Sequence, residues 1–108
     1  GRYNAVQSTI ARLEGVVRQT RLRNRADFYS LWSALLEFTD SLDAIDYDQT
    51  AERLRDFADR VSEVPNLKDP ADAGEDALTY SQAVRAGTTK QPNREIRKQM
   101  LLKYIVQK

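Results

Sequence analysis

Apolar residues recur along this chain with the period of an α-helix. Val6, Ile10, Leu13 and Val17 follow one another at steps of 4, 3 and 4, with Val16 beside them, which puts them on one helical face. The spacing predicts a helix over residues 3–19. Gly15 falls inside it and weakens it by ~1 kcal/mol relative to Ala without ending it. A basic connector, Arg21-Leu22-Arg23-Asn24-Arg25, leads to a broader stripe of Phe28, Leu31, Trp32, Leu35, Leu36 and Leu42. That breadth predicts the central helix, over residues 25–42, with Asn24 or Asp27 as its cap. Trp32 reads as a core anchor, and Tyr29 falls just off the stripe, half-exposed.

Beyond a turn-like stretch at residues 43–47, Asp48 or Thr50 is placed to cap a third helix. Its inward set is Leu54, Phe57, Ala58, Val61 and Val64, and Pro65 ends it at or just before Val64. Residues 66–74 form the longest irregular stretch. A fourth helix follows over residues 75–86, with Ala77, Tyr80, Ala83 and Val84 inward and Gly87 as its left-handed cap. After a turn over residues 88–91, Pro92 and Asn93 open a fifth helix whose apolar set is Ile96, Met100, Leu101, Tyr104 and Ile105. Strand-like alternation and internal repeats are absent from the sequence. The expectation is an all-α fold: residues 1–108 as one domain, a single compact bundle or orthogonal array of about five helices.

Composition narrows the chemistry. A chain of 108 residues can bury one core without staples. It contains no Cys, which excludes disulfides and thiolate metal sites and points to a reducing, cytoplasmic compartment. The absence of His excludes a Ser-His-Asp or Cys-His arrangement. The Gly residues are scattered singly, so no phosphate-cradling loop is assembled. Asp40, Asp43, Asp46 and Asp48 resemble a calcium loop superficially but lack its sharp-turn glycine and terminal glutamate. Glu37 and Asp40, about one helical turn apart, are the minimal footing for Mg²⁺. No cofactor and no active site are therefore expected. No apolar run approaches the ~20 residues that span a bilayer, so no membrane partner is expected either. The opening Gly1, in place of a methionine, suggests a piece of a longer protein.

Charge is divided sharply. Residues 1–25 carry a net +5, residues 26–78 a net −10, and residues 79–108 a net +6. One reading is that basic terminal helices pack beside acidic middle ones, through pairs contributing ~0–1 kcal/mol each when exposed. The other is that the first and last helices share a basic face for nucleic-acid phosphates. The candidate contacts to nucleic acid or a partner are Arg21, Arg23, Arg25, Arg85, Arg94, Arg97 and Lys98. Pairing of these with Asp76 or Asp27 is the internal alternative.

Two segments carry a family resemblance. Asn24-Arg25-Ala26-Asp27-Phe28-Tyr29-Ser30-Leu31 is similar to a helix entry found after the nuclease-like domain of GmrSD-type proteins. These have an N-terminal ParB-like domain and belong to the type IV restriction and phage-defence group. The stretch from Tyr80 to Arg97, with Gly87-Thr88-Thr89 and the Arg94-x-x-Arg97 opening, resembles a later part of the same helical region. The resemblance covers about half of the chain and implies a helical C-terminal region serving the catalytic domain of a parent chain. The family's Asp-Gly-Gln-Gln-Arg and His-Asn-His motifs have no counterpart here, so none of its catalytic residues carry over.

Overall fold

The computed structural model of the chain describes residues 1–87 and 90–106. Among the described residues six helices carry the fold: α1 (Arg2–Arg12), α2 (Glu14–Gln19), α3 (Arg25–Glu37), α4 (Tyr47–Glu63), α5 (Glu75–Arg85) and α6 (Gln91–Val106). Short 3₁₀ turns lie at Arg21–Arg23, Thr39–Ala44, Val64–Asn66 and Pro70–Ala73, and the described residues contain no strand. Among the described residues no helix is long and apolar enough to cross a membrane.

Helix α3 is central, as its broad stripe predicts. Leu31, Ala34 and Leu35 are fully buried, and α4 adds Leu54, Phe57, Ala58 and Val61 to the same core. On one flank α1 lies antiparallel to α3: Arg2 Nη2 donates to the Leu36 carbonyl at 3.2 Å, and the Tyr3 and Trp32 rings stack 6.3 Å apart. Trp32 is only partly buried, and with Ile10, Val17 and Phe28 it lines an apolar groove of about 390 Å³. On the other flank α6 packs against α3 and runs antiparallel to α5. Asp76 near the start of α5 accepts from Lys103 and Tyr104 near the end of α6. An aromatic group joins α4, α5 and α6: Phe57 meets Tyr80 edge-on at 5.5 Å and stacks on Tyr104 at 4.4 Å.

Several expectations are corrected. The first helix is divided at Leu13, two residues before Gly15, and Leu13 is buried at the bend. The central helix stops at Glu37 instead of reaching Leu42. There Thr39 Oγ1 donates to the Leu35 and Leu36 carbonyls, a side-chain bond that competes with the backbone ladder. Asp46, not Asp48 or Thr50, caps α4, accepting from the Gln49 amide at 3.1 Å, and Thr50 is fully buried. Residues 66–74 contain a 3₁₀ turn capped by Asp69, which accepts from the Ala71 amide. Gly87 has the positive φ expected of it, +127°. The expected turn over residues 88–91 lies partly outside the described residues, since Thr88 and Thr89 are not among them.

The last helix is rotated relative to its predicted face. Ile96, assigned inward, is 36% exposed, whereas Arg97 is 1% exposed and shares the inward face with Leu101 and Ile105. A search for apolar periodicity passes over an arginine in that register.

Candidate interaction surface

The polar groups of this fold divide into those built into the interior and those left on the surface. Inside, Asp27 of α3 is 2% exposed. Its carboxylate accepts from Tyr80 Oη at 2.6 Å and from Arg21 Nε at 3.1 Å. Ser30, one turn further along α3, accepts from Arg97 Nε at 3.2 Å and donates to the Ala26 carbonyl at 3.0 Å. The network joins α3, α5, α6 and the 3₁₀ turn before α3. Burying a charge such as that of Asp27 costs several kcal/mol unless it is paired and hydrogen-bonded, which Arg21 and Tyr80 provide. Burial, and next the Asp27 charge, push the Tyr80 hydroxyl far above its ordinary pKa, so it remains a donor.

The seven candidate cations therefore have different fates. Arg21 is held by Asp27. Arg97 is in the core, a correction to its reading as a surface contact: its guanidinium is positioned by Ser30 and enclosed between helices. Lys98 bonds Glu37 at 2.9 Å and Glu95 at 3.0 Å. The Glu37 hydrogen bond is the main cause raising the Lys98 ammonium above its ordinary pKa. Arg94 is partly buried and donates to Gln91 Oε1 at 2.8 Å. Arg23, Arg25 and Arg85 are exposed and, among the described residues, meet no carboxylate.

Two basic groups result. Arg23 and Arg25 precede Asp27 at the opening of α3, while Arg85, Lys90 and Arg94 gather where α5 hands over to α6. The first and last helices do not form one shared face, because α1 and α6 lie on different flanks of α3. Among the described residues, basic ends and acidic middle pair at Arg21–Asp27, Lys98–Glu37 and Lys103–Asp76.

Beside the α5–α6 corner, α3 and α6 enclose a cleft of about 140 Å³ lined by Tyr29, Ser30, Ser33, Gln91, Arg94, Glu95 and Lys98. Tyr29, read from sequence as half-exposed, is 58% exposed at this cleft. Sequence reasoning missed the cleft, since its two walls are about sixty residues apart in the chain. Among the described residues there is no group of three or more acidic, His or Cys side chains that could hold a metal ion. Glu37, one half of the carboxylate pair considered for Mg²⁺, faces Lys98 instead. Compared with known proteins, the chain matches no family model, no curated protein and no solved structure.

Proposed function

We propose that this chain is a non-catalytic helical interaction domain of a larger cytoplasmic protein, a nucleic-acid-targeting restriction or defence factor. It packs against the catalytic domain of its parent chain and orients it. The observation that carries the reading is the set of exposed guanidiniums, Arg23, Arg25 and Arg85, with no carboxylate beside them among the described residues. Unpaired arginines of this kind suit planar, bidentate recognition of carboxylates or phosphates on a partner. The interior charges support a non-catalytic role, because Asp27 and Arg97 fix helices together. Hydrogen exchange of the chain alone and within its parent protein tests this. Slower exchange around Arg23–Arg25 and Arg85 in the parent is expected; identical exchange in both overturns it.

A second reading, direct binding of nucleic acid, is favoured by the addition of Lys90 and Arg94 to Arg85 at the α5–α6 corner. Binding through three phosphate contacts to duplex DNA gives a slope of about −3 in log K against log salt. Titrations of duplex and single-stranded DNA at two salt concentrations measure it, and affinity indifferent to salt rules the reading out.

A further inference from the structure

Arg94 Nε is buried and has no hydrogen-bond partner among the described residues, although Nη2 of the same guanidinium bonds Gln91. Buried donors in native proteins nearly always have an acceptor, and an unmet one costs ~1–3 kcal/mol. This donor belongs to a side chain that lines the α3–α6 cleft. On the opposite wall the Ser33 hydroxyl is likewise without a hydrogen bond among the described residues. The other cleft charges are already matched. Lys98 is held between Glu37 and Glu95, and Glu95 also accepts from Gln99 at 3.0 Å. The Arg94 guanidinium, which no carboxylate among the described residues faces, and the Ser33 hydroxyl thus leave the cleft able to take one further anionic group. Lys90, whose carbonyl accepts from the Arg94 amide at 3.0 Å, adds positive potential.

The cleft is smaller than the ~300–1,000 Å³ of pockets that enclose a whole drug-sized ligand. A compact oxyanion can enter while the rest of its carrier stays outside. What lies outside is the exposed ring of Tyr29, a flat surface of the kind on which bases stack. We propose that the α3–α6 cleft binds the phosphate of a nucleotide, with Arg94 and Ser33 donating to its oxygens and its base resting on Tyr29. This rests on the nucleic-acid reading above and names the unit that is recognised. The nucleotide is either free or part of a single strand.

Amide shifts of the whole ¹⁵N-labelled chain, titrated with inorganic phosphate, AMP and a short oligothymidylate, test the assignment. AMP, oligothymidylate or both are expected to move the signals of Tyr29, Ser33 and Arg94. Binding of AMP without oligothymidylate identifies a free nucleotide, and tighter oligothymidylate binding identifies a strand. Arg94→Gln should weaken binding by about tenfold or more. Tyr29→Ala should weaken AMP and oligothymidylate and leave inorganic phosphate unaffected. Should Arg94→Gln fail to fold, Ser33→Leu, which fills the cleft, serves the same purpose. Shifts that map elsewhere, binding indifferent to these substitutions, or binding of both AMP and oligothymidylate no tighter than that of inorganic phosphate overturns the proposal. Oligothymidylate binding that survives them but is lost on replacing Arg23, Arg25 and Arg85 overturns the cleft alone and leaves the broader nucleic-acid reading standing.

Discussion

Tyr80 Oη and Asp27 Oδ1 are 2.6 Å apart, and both side chains are buried. They are 53 residues apart in sequence, so the bond fastens α5 to the opening of α3. Tyr80→Phe removes the donor while keeping the ring on Phe57. It leaves a buried carboxylate short of one hydrogen bond, and a loss of about 1.5–3 kcal/mol is expected. Urea unfolding measures it. A loss below the few tenths typical of an exposed hydroxyl would mean that the bond does not contribute.

Two glycines should respond in opposite ways to alanine. Gly15 lies in α2, and a Cβ there meets nothing within 4 Å, so Gly15→Ala should stabilise by about 0.5–1 kcal/mol. Gly74 before α5 has φ +96° and ψ 156°, a backbone region essentially confined to glycine. Gly74→Ala should destabilise by about 1–3 kcal/mol although space is open around it. Thermal melting of the two variants side by side gives both signs, and a shared sign contradicts the argument.

Arg53 Nε donates to the Tyr104 carbonyl at 3.0 Å, supplying a cation and a donor to the last turn of α6. Arg53→Ala should lower stability by ~1 kcal/mol and accelerate amide exchange in the last turn of α6. Exchange that quickens uniformly along the chain would point to global loosening in place of a fraying end.

Stability should fall on the acid side through Asp76. The Lys103 hydrogen bond is the chief cause holding this carboxyl below its ordinary value of 3.8, with Tyr104 assisting. A depressed native-state pKa stabilises the fold above the unfolded-state value, and that contribution disappears as pH falls through the native one. Asp76→Asn should therefore lower the urea midpoint at neutral pH and flatten its decline below about pH 4. On the alkaline side the signs reverse. Tyr104, raised to about 12 mainly by burial, contributes below about pH 10 and loses its contribution as pH rises through its native value.

Helix placement was legible, apart from the division of the first helix at Leu13, because apolar spacing in α3, α4 and α5 is dense enough to define a face. The ends were less so: a single hydroxyl, Thr39, stops α3, and Asp46 takes a cap for which Asp48 was equally suited. The interior charges escaped because hydrophobic patterning treats Asp27 and Arg97 as surface. A signal existed. Asp27 stands four residues before Leu31, and Arg97 four before Leu101, each in register with a buried stripe. A charge tally by block located the basic ends but not which arginines would be drawn inside. The cleft depends on how α6 crosses α3, which no local pattern encodes.

Trp32 is the only tryptophan, and it looks out from α3 onto the 66% exposed ring of Tyr3. Its emission is therefore a gauge of whether α1 is seated and is not a gauge of the aromatic group around Phe57. Circular dichroism sums over every helix. If the two signals change together during denaturation, the first helix belongs to the cooperative unit; an earlier change in emission marks it as a strap that opens first.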